Sequence, residues 1–277
     1  MILNKKKRIN ILITWVGGQY AYSLVNCLRL SNKFNVKIIG IDKKIDVEDW
    51  FLDKFFCVNE YLEKDYILSV KNICIKEKIN FIIPGSENET QIYSKNSNIF
   101  TDLKVILPLS KYAVVKLLSD KLKFYNFLKK NNLNFVKFLE FNNLLELKKI
   151  LQNLNYPNKK ILLKPRLSSG SKGIFILNEK NTKIINLLEN RLCMQLSYRL
   201  LIKYVKANKF NLQNYIAMEF IDGKFYDVDC FSRKGELIYC IPRERKYINP
   251  FSPINTGCII TSNDRIIKYI KKIVNKL

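Results

Sequence analysis

Residues 164–173, KPRLSSGSKG, hold the densest set of ligand-binding groups in the chain. Gly170 and Gly173 allow the backbone a positive φ and a close approach to a ligand. Ser169 and Ser171 add short hydroxyl donors, and Lys164, Arg166 and Lys172 bring positive charge. That combination suits a polyphosphate, and it would also make an exposed basic turn. Further on, Met218, Glu219, Phe220 and Ile221 form a strand-like stretch with one acid, closed by Asp222-Gly223. Such a strand can offer backbone N–H and C=O groups to an adenine edge while Glu219 accepts from the exocyclic amine. Asp227 and Asp229 then fall on one strand face, as do Arg243 and Arg245, whose guanidinium forks match phosphate or carboxylate oxygens.

The elements that must position these groups are α/β in character. Residues 9–16 (INILITWV) are a compact, β-branched apolar run followed by Gly17-Gly18, and Ala21, Leu24, Val25 and Leu28 then recur at helical spacing. Residues 36–41 supply a second buried strand ending at Asp42, 66–77 a helix, 81–83 a third strand stopped by Pro84-Gly85, and 105–107 a fourth stopped by Pro108. Alternating strands and helices predict a parallel, doubly wound, Rossmann-like domain over residues 1–112. Its glycine turn lacks G-x-G-x-x-G. It serves either as a tight strand-to-helix turn alone or as one side of a ligand site at the carboxyl ends of the strands, where Ser86, Glu87 and Glu89 follow Gly85.

Residues 113–277 change character. A helix over 113–131 containing Asp120-Lys121 and one over 144–154 precede a strand–loop–strand unit at 160–177. The loop is no Walker motif, because residues 174–177 are too short and too β-rich to open a helix. From residue 215 an antiparallel succession is expected, with turns at Asp222-Gly223 and Lys234-Gly235. Ile266, Ile267, Ile270, Ile273, Val274 and Leu277 then make an amphipathic closing helix. The lobes are expected at 113–214, carrying the flap, and at 215–277.

Composition removes whole classes of chemistry. There is no histidine among the 277 residues, which excludes Ser-His-Asp and Cys-His nucleophile systems and His-ligated zinc. The formal charge of +24 comes from 48 Lys+Arg against 24 Asp+Glu, but the lysines are spread through every stretch rather than gathered in a stripe, so no specific nucleic-acid partner is expected. The scattered cysteines Cys27, Cys57, Cys74, Cys193, Cys230, Cys240 and Cys258 never form a C-x-x-C pair and are expected as reduced, half-buried side chains. No segment approaches the ~20 apolar residues of a membrane span, and a cytoplasmic location is expected.

Taken in order, the Asp-Lys pair, the K-P-R-x-x-S-G-S-K-G flap, the E-F-I-x-G hinge, the acidic strand and the Arg strand resemble the ATP-grasp superfamily, and within it the branch similar to the carbamoyl-phosphate synthase large chain. The resemblance covers essentially the whole chain and implies a pre-ATP-grasp domain followed by a two-lobed ATP-grasp domain. It implies ATP and Mg²⁺ as cofactors, with a small carboxylate and an amine or other nucleophile as substrates. By resemblance, Lys121 and Lys164 are the ATP-phosphate lysines, Ser169, Gly170, Ser171, Lys172 and Gly173 the closing flap, Met218, Glu219, Phe220 and Ile221 the adenine hinge, and Arg243 the arginine facing the transferred phosphoryl group. The implied reaction makes an acyl phosphate that the nucleophile then displaces, and positioning and charge neutralisation dominate such a transfer.

Three departures stand out. Phe225 stands where relatives have the ribose-contacting Glu, so either Asp227 on the same strand face substitutes or ribose recognition is weaker. Asn255-Thr256-Gly257 replaces Ser-Lys-Gly. After Glu244 the only acid is Asp264, so the Glu-x-Asn-Pro-Arg segment that holds Mg²⁺ in relatives does not occur. The expectations are a chain cut short, a second chain that supplies the remainder, or an inactive remnant that binds nucleotide or docks a partner.

Overall fold

The structure is a computed structural model that describes residues 7–18, 20–44, 49–168, 173–180, 183–186, 193–246 and 257–277. Two compact units divide the chain, Met1–Lys116 and Leu117–Leu277.

The first unit contains β1 (Lys7–Thr14), α1 (Ala21–Arg29), β2 (Phe34–Asp42), β3 (Lys54–Cys57), α2 (Tyr66–Lys76), β4 (Phe81–Ile83), α3 (Glu87–Lys95) and α4 (Ser97–Asp102). Its sheet has the order β3-β2-β1-β4, with every pairing parallel. Alternation along the strands sends side chains to two cores. Ile11, Ile13 and Ile38 pack with Val25 of α1, and Leu12, Ile39, Ile41 and Ile82 pack with Tyr66, Val70 and Phe100. Helices therefore cover both faces, and strands buried on both sides read as continuous apolar runs. Two expectations are corrected. Residues 105–107 do not form a strand, and only one bridge, Phe81 to Ile106, is made there. The strand β3, unforeseen, occupies one edge.

The second unit begins within α5 (Tyr112–Leu118) and continues with α6 (Lys121–Lys130), β5 (Phe138–Phe141), α7 (Leu144–Asn153), β6 (Ile161–Pro165), β7 (Ile174–Leu177), β8 (Lys183–Asn186), β9 (Cys193–Leu196), α8 (Tyr198–Ala207) and β10 (Tyr215–Glu219). These strands form a six-stranded sheet of order β5-β10-β6-β7-β9-β8. One face, through Phe141, Leu163, Phe175, Leu177, Tyr215 and Ala217, buries Leu147 and Leu151 of α7 and Leu201 of α8. A separate three-stranded antiparallel sheet joins β11 (Tyr226–Arg233), β12 (Glu236–Arg245) and β13 (Cys258–Ile260), and α9 (Asp264–Val274) ends the chain. Ile273 and Ile270 of α9 pack on Leu128 and Phe124 of α6.

The single helix expected over 113–131 is two. Asp120 caps α6 with its carboxylate, accepting from the Leu122 and Lys123 N–H groups, and an extended residue there ends α5. The expected antiparallel succession from residue 215 also breaks. The strand β10 pairs antiparallel with β5 and β6 and not with β11, so Asp222-Gly223 connects two sheets rather than two neighbouring strands. Burial explains the choice: β10 is a buried central strand, whereas most of β11 is exposed.

Candidate functional site

Lys164 and Met218 alternate with the buried Leu163 and Ala217 and so lie on the face of the six-stranded sheet away from α7 and α8, where Tyr125 of α6 meets Lys164. The strands β6 and β7 pair antiparallel from Ile161–Leu177 to Leu163–Phe175, so the Lys-Pro-Arg stretch runs off the end of β6 and the chain returns at Gly173. Gly173 adopts φ +68°, and a Cβ there would lie 2.5 Å from the Tyr215 hydroxyl, which donates to the Gly173 carbonyl at 2.8 Å. The return of this loop therefore requires glycine. Ser169, Gly170, Ser171 and Lys172 lie outside the described residues.

The start of α6 is bound to the same loop. The Arg166 guanidinium donates to both Asp120 oxygens, Nε to Oδ1 at 2.7 Å and Nη2 to Oδ2 at 2.8 Å. The Lys121 N–H donates to the Arg166 carbonyl at 3.1 Å, and Lys121 Nζ donates to the Ser168 carbonyl. Burial opposes the charge on Asp120, but the Arg166 guanidinium and the Lys123 N–H hold its carboxyl below the usual range. The Asp-Lys pair and the K-P-R stretch, 46 residues apart between Asp120 and Arg166, thus form one hydrogen-bonded unit.

Lys164 sits beside this unit in an apolar setting. It lies opposite Ile216 of β10. Its Nζ donates to the Tyr125 hydroxyl at 2.6 Å and lies 5.0 Å from that ring's centroid. Burial draws its ammonium from 10.5 down to about 8, because a charge removed from water favours the neutral form. The same burial raises Tyr125.

The hinge adjoins it. Glu219 ends β10 opposite Ile161, the Glu219 N–H donates to the Lys137 carbonyl and the Phe220 N–H to the Lys160 carbonyl. Met218 is buried and Ile221 exposed. Glu219 Oε1 accepts from Lys159 Nζ at 2.9 Å.

In the three-stranded sheet, Arg245 grips Asp227 with Nε and Nη2 at 3.0 and 2.9 Å. Arg243 pairs with Asp229, Nη2 donating at 3.1 Å and Nε 2.7 Å from the other oxygen. Each arginine reaches diagonally, since the register sets Asp227 against Arg243. Among the described residues no three acidic or Cys side chains could hold a metal ion, and Asp227, Asp229 and Glu244 each already face an Arg or Lys. Sequence reasoning missed Tyr125, whose position one turn after Lys121 was the available signal.

The first unit has its own recess. At the carboxyl ends of β1 and β4 a cavity of about 170 Å³ is lined by Thr14, Trp15, Gly18, Tyr20, Leu24 and Gly85, among others. A Cβ on Gly85 would lie 2.1 Å from the Thr14 carbonyl oxygen. Asp42 Oδ2 accepts from the Gly17 N–H at 2.9 Å, so this acid holds the glycine turn. Buried Glu89 accepts from Tyr66 at 2.7 Å and Ser86 at 2.9 Å, while Glu87 is exposed.

The chain has an α/β unit with a parallel four-stranded sheet, followed by a six-stranded and then a three-stranded sheet, a fold it shares with several solved structures. It is similar to N5-carboxyaminoimidazole synthetase from Staphylococcus aureus, solved with ADP, at TM-score 0.64 and 16% identity over 98% of this chain and 63% of that one. It is similar to the biotin carboxylase domain of the Hydrogenobacter thermophilus 2-oxoglutarate carboxylase, solved with MgADP and bicarbonate, at TM-score 0.62 and 13% identity over 96% and 57% of the two chains. L-amino acid ligase from Bacillus licheniformis matches at TM-score 0.57 and 13% identity, over 98% and 60%. The chain thus spans 57–63% of the length of these structures. No protein-family model and no curated protein matches it. None of the described helices is long and apolar enough to cross a membrane.

Proposed function

We propose that the chain is an ATP-dependent carboxylate–amine ligase working through an acyl phosphate, or the ATP-binding part of one. The observation that carries this reading is that α6 brings Lys121 to the Ser168 carbonyl and Tyr125 to Lys164 of β6, the strand that pairs with β10 and its terminal Glu219. Adenine would lie against Met218, Glu219, Phe220 and Ile221, and the triphosphate under the loop. Lys121 and Lys164 would neutralise phosphate oxygens. Arg166 would act by fixing the loop to Asp120, since both of its contacts go to that carboxylate.

A carboxylate oxygen of the substrate attacks the γ-phosphorus, the bond to the β–γ bridging oxygen breaks, and ADP leaves with that electron pair. An amine then attacks the acyl carbon and phosphate departs with the C–O pair, the amine proton passing to solvent. Charge placed in advance around the transferring group lowers this barrier without a histidine. Arg243 and Arg245 are the cations offered for the γ- or acyl phosphate, and Asp227 the ribose partner. Mg²⁺ belongs to the reading by resemblance, and no step above is routed through it. The small carboxylate, the amine, a second chain completing the site, and a cytoplasmic location complete the proposal.

A second reading, a nucleotide-binding or partner-docking chain without turnover, is favoured by the lack of a carboxylate cluster among the described residues. Calorimetry with ATP on the chain and on Lys164→Ala tests the first part: the parent should bind and the variant bind at least tenfold more weakly. No heat at millimolar ATP would remove the ligase reading and the nucleotide-binding form of the second. Phosphate release in the presence of carboxylate and amine pools separates them.

A further inference from the structure

The three-stranded sheet holds a chemistry that the nucleotide reading does not use. Cys230 of β11 and Cys240 of β12 are direct register partners, and their sulfurs lie 4.0 Å apart. The kind of pair they form follows from the ladder. The Arg245 N–H donates to the Phe225 carbonyl at 2.9 Å, which makes 225/245 a hydrogen-bonded pair. Pairs alternate along an antiparallel ladder, so 227/243 and 229/241 are hydrogen-bonded while 228/242 and 230/240 are not. Pro242, which has no N–H to give, fits its place in that alternation. Non-hydrogen-bonded partners approach most closely, with Cα atoms ~4.5 Å apart, inside the ~4.4–6.8 Å span that a disulfide bridges. Cys258 cannot compete, because it lies opposite Arg245, on the face carrying the arginines and aspartates.

We propose that Cys230 and Cys240 are a dithiol oxidation site that closes to a cross-strand disulfide on reaction with a small disulfide such as oxidised glutathione. The exposed Cys230, as thiolate, attacks one sulfur of the oxidant, whose S–S bond breaks and releases one glutathione. Cys240 then attacks the Cys230 sulfur of the mixed disulfide and releases the second. Two thiol protons pass to the two glutathiones, and two electrons pass from the cysteines to the oxidant. Burial and the adjacent Cys240 push the Cys230 thiol up to about 11, so thiolate is scarce at neutral pH and closure takes minutes to hours. The bond lies on the face opposite Asp227, Asp229, Arg243 and Arg245. It fixes the relative position of the two strands that bear those four side chains without covering them.

The test is a peptide map of the full chain after incubation in oxidised and in reduced glutathione. Arg233 and Lys234 lie between the two cysteines, so trypsin separates them unless a disulfide holds the peptides together. Expected are a linked Cys230–Cys240 peptide, a loss of both thiols in a titration of the unfolded chain, and reversal by dithiothreitol. In Cys240→Ser, glutathione should remain trapped on Cys230. Exposed Cys27 and Cys57 report that the oxidant was active. Glutathione on those two while Cys230 and Cys240 stay unlinked, or a link from Cys230 to any other cysteine, overturns the proposal.

Discussion

Replacing Lys164 with methionine should stabilise the protein at neutral pH, and the gain should vanish in alkali. The ammonium sits among apolar neighbours with one hydroxyl partner, Tyr125, and titrates at about 8 instead of 10.5. At ~1.4 kcal/mol per tenfold difference in proton affinity, holding that charge in the folded state costs about 3 kcal/mol below pH 8. The sign follows from proton counting. Between pH 8 and 10.5 the unfolded chain keeps a proton that the folded one has lost, so the stability of the parent rises with pH there. Methionine keeps the apolar stem and forfeits the Tyr125 contact, worth ~1 kcal/mol. The variant should therefore be more stable by about 2 kcal/mol at pH 7, and less stable by about 1 kcal/mol above pH 10.5. Urea unfolding of both proteins at pH 7 and pH 10.5 measures this, and titrations common to the two cancel in the difference. A variant less stable at pH 7, or a difference unchanged with pH, would refute the reasoning. The same variant should bind ATP poorly, as expected where a group costs stability for the sake of a ligand.

Asp120→Asn removes the charge that receives both Arg166 contacts and should cost about 2 kcal/mol at pH 7. Because the folded carboxyl titrates below its ordinary 3.8, that cost is present above this value and fades as pH falls through the folded one. Parent and variant should accordingly converge in acid melts. Asp229→Asn releases Arg243 and should tighten binding of ATP several-fold in calorimetry; unchanged or weaker binding would remove Arg243 from the phosphate site.

The parallel first sheet was legible because strands buried on both faces leave apolar runs too long for a surface element, as in residues 9–16 and 36–41. The strands β3, β5 and β13 are three or four residues long and carry too little pattern to be told from loop without their partners. The allegiance of β10 could have been read. YIAME is apolar on both faces and fits a sheet centre, whereas YDVDCFSR alternates toward water and fits a surface sheet. Ser119-Asp120 likewise carried a cap signal that was overridden by the apolar spacing on either side. The Lys164–Tyr125 contact was not legible, because it depends on how α6 lies on a sheet formed by residues close to 40 positions away.

The two kinds of arginine in the second unit differ in what they can still do. Arg166 is bound to a carboxylate only 6% exposed, and separating such a pair would strand a buried charge at a cost of several kcal/mol. Its position is therefore fixed, and with it the start of α6 and the root of the loop. The side chain of Asp229, the partner of Arg243, is 62% exposed, and a pair open to solvent contributes little, ~0–1 kcal/mol. A phosphate oxygen can replace such a carboxylate at small cost, because water re-solvates the acid that is released. Asp229 thus competes only weakly with an incoming anion for the Arg243 guanidinium, and removing that competitor is what the several-fold gain expected of Asp229→Asn would read. Asp229 and Arg243 on neighbouring strands are in this sense one device, a cation kept in position by a ligand weak enough to be exchanged.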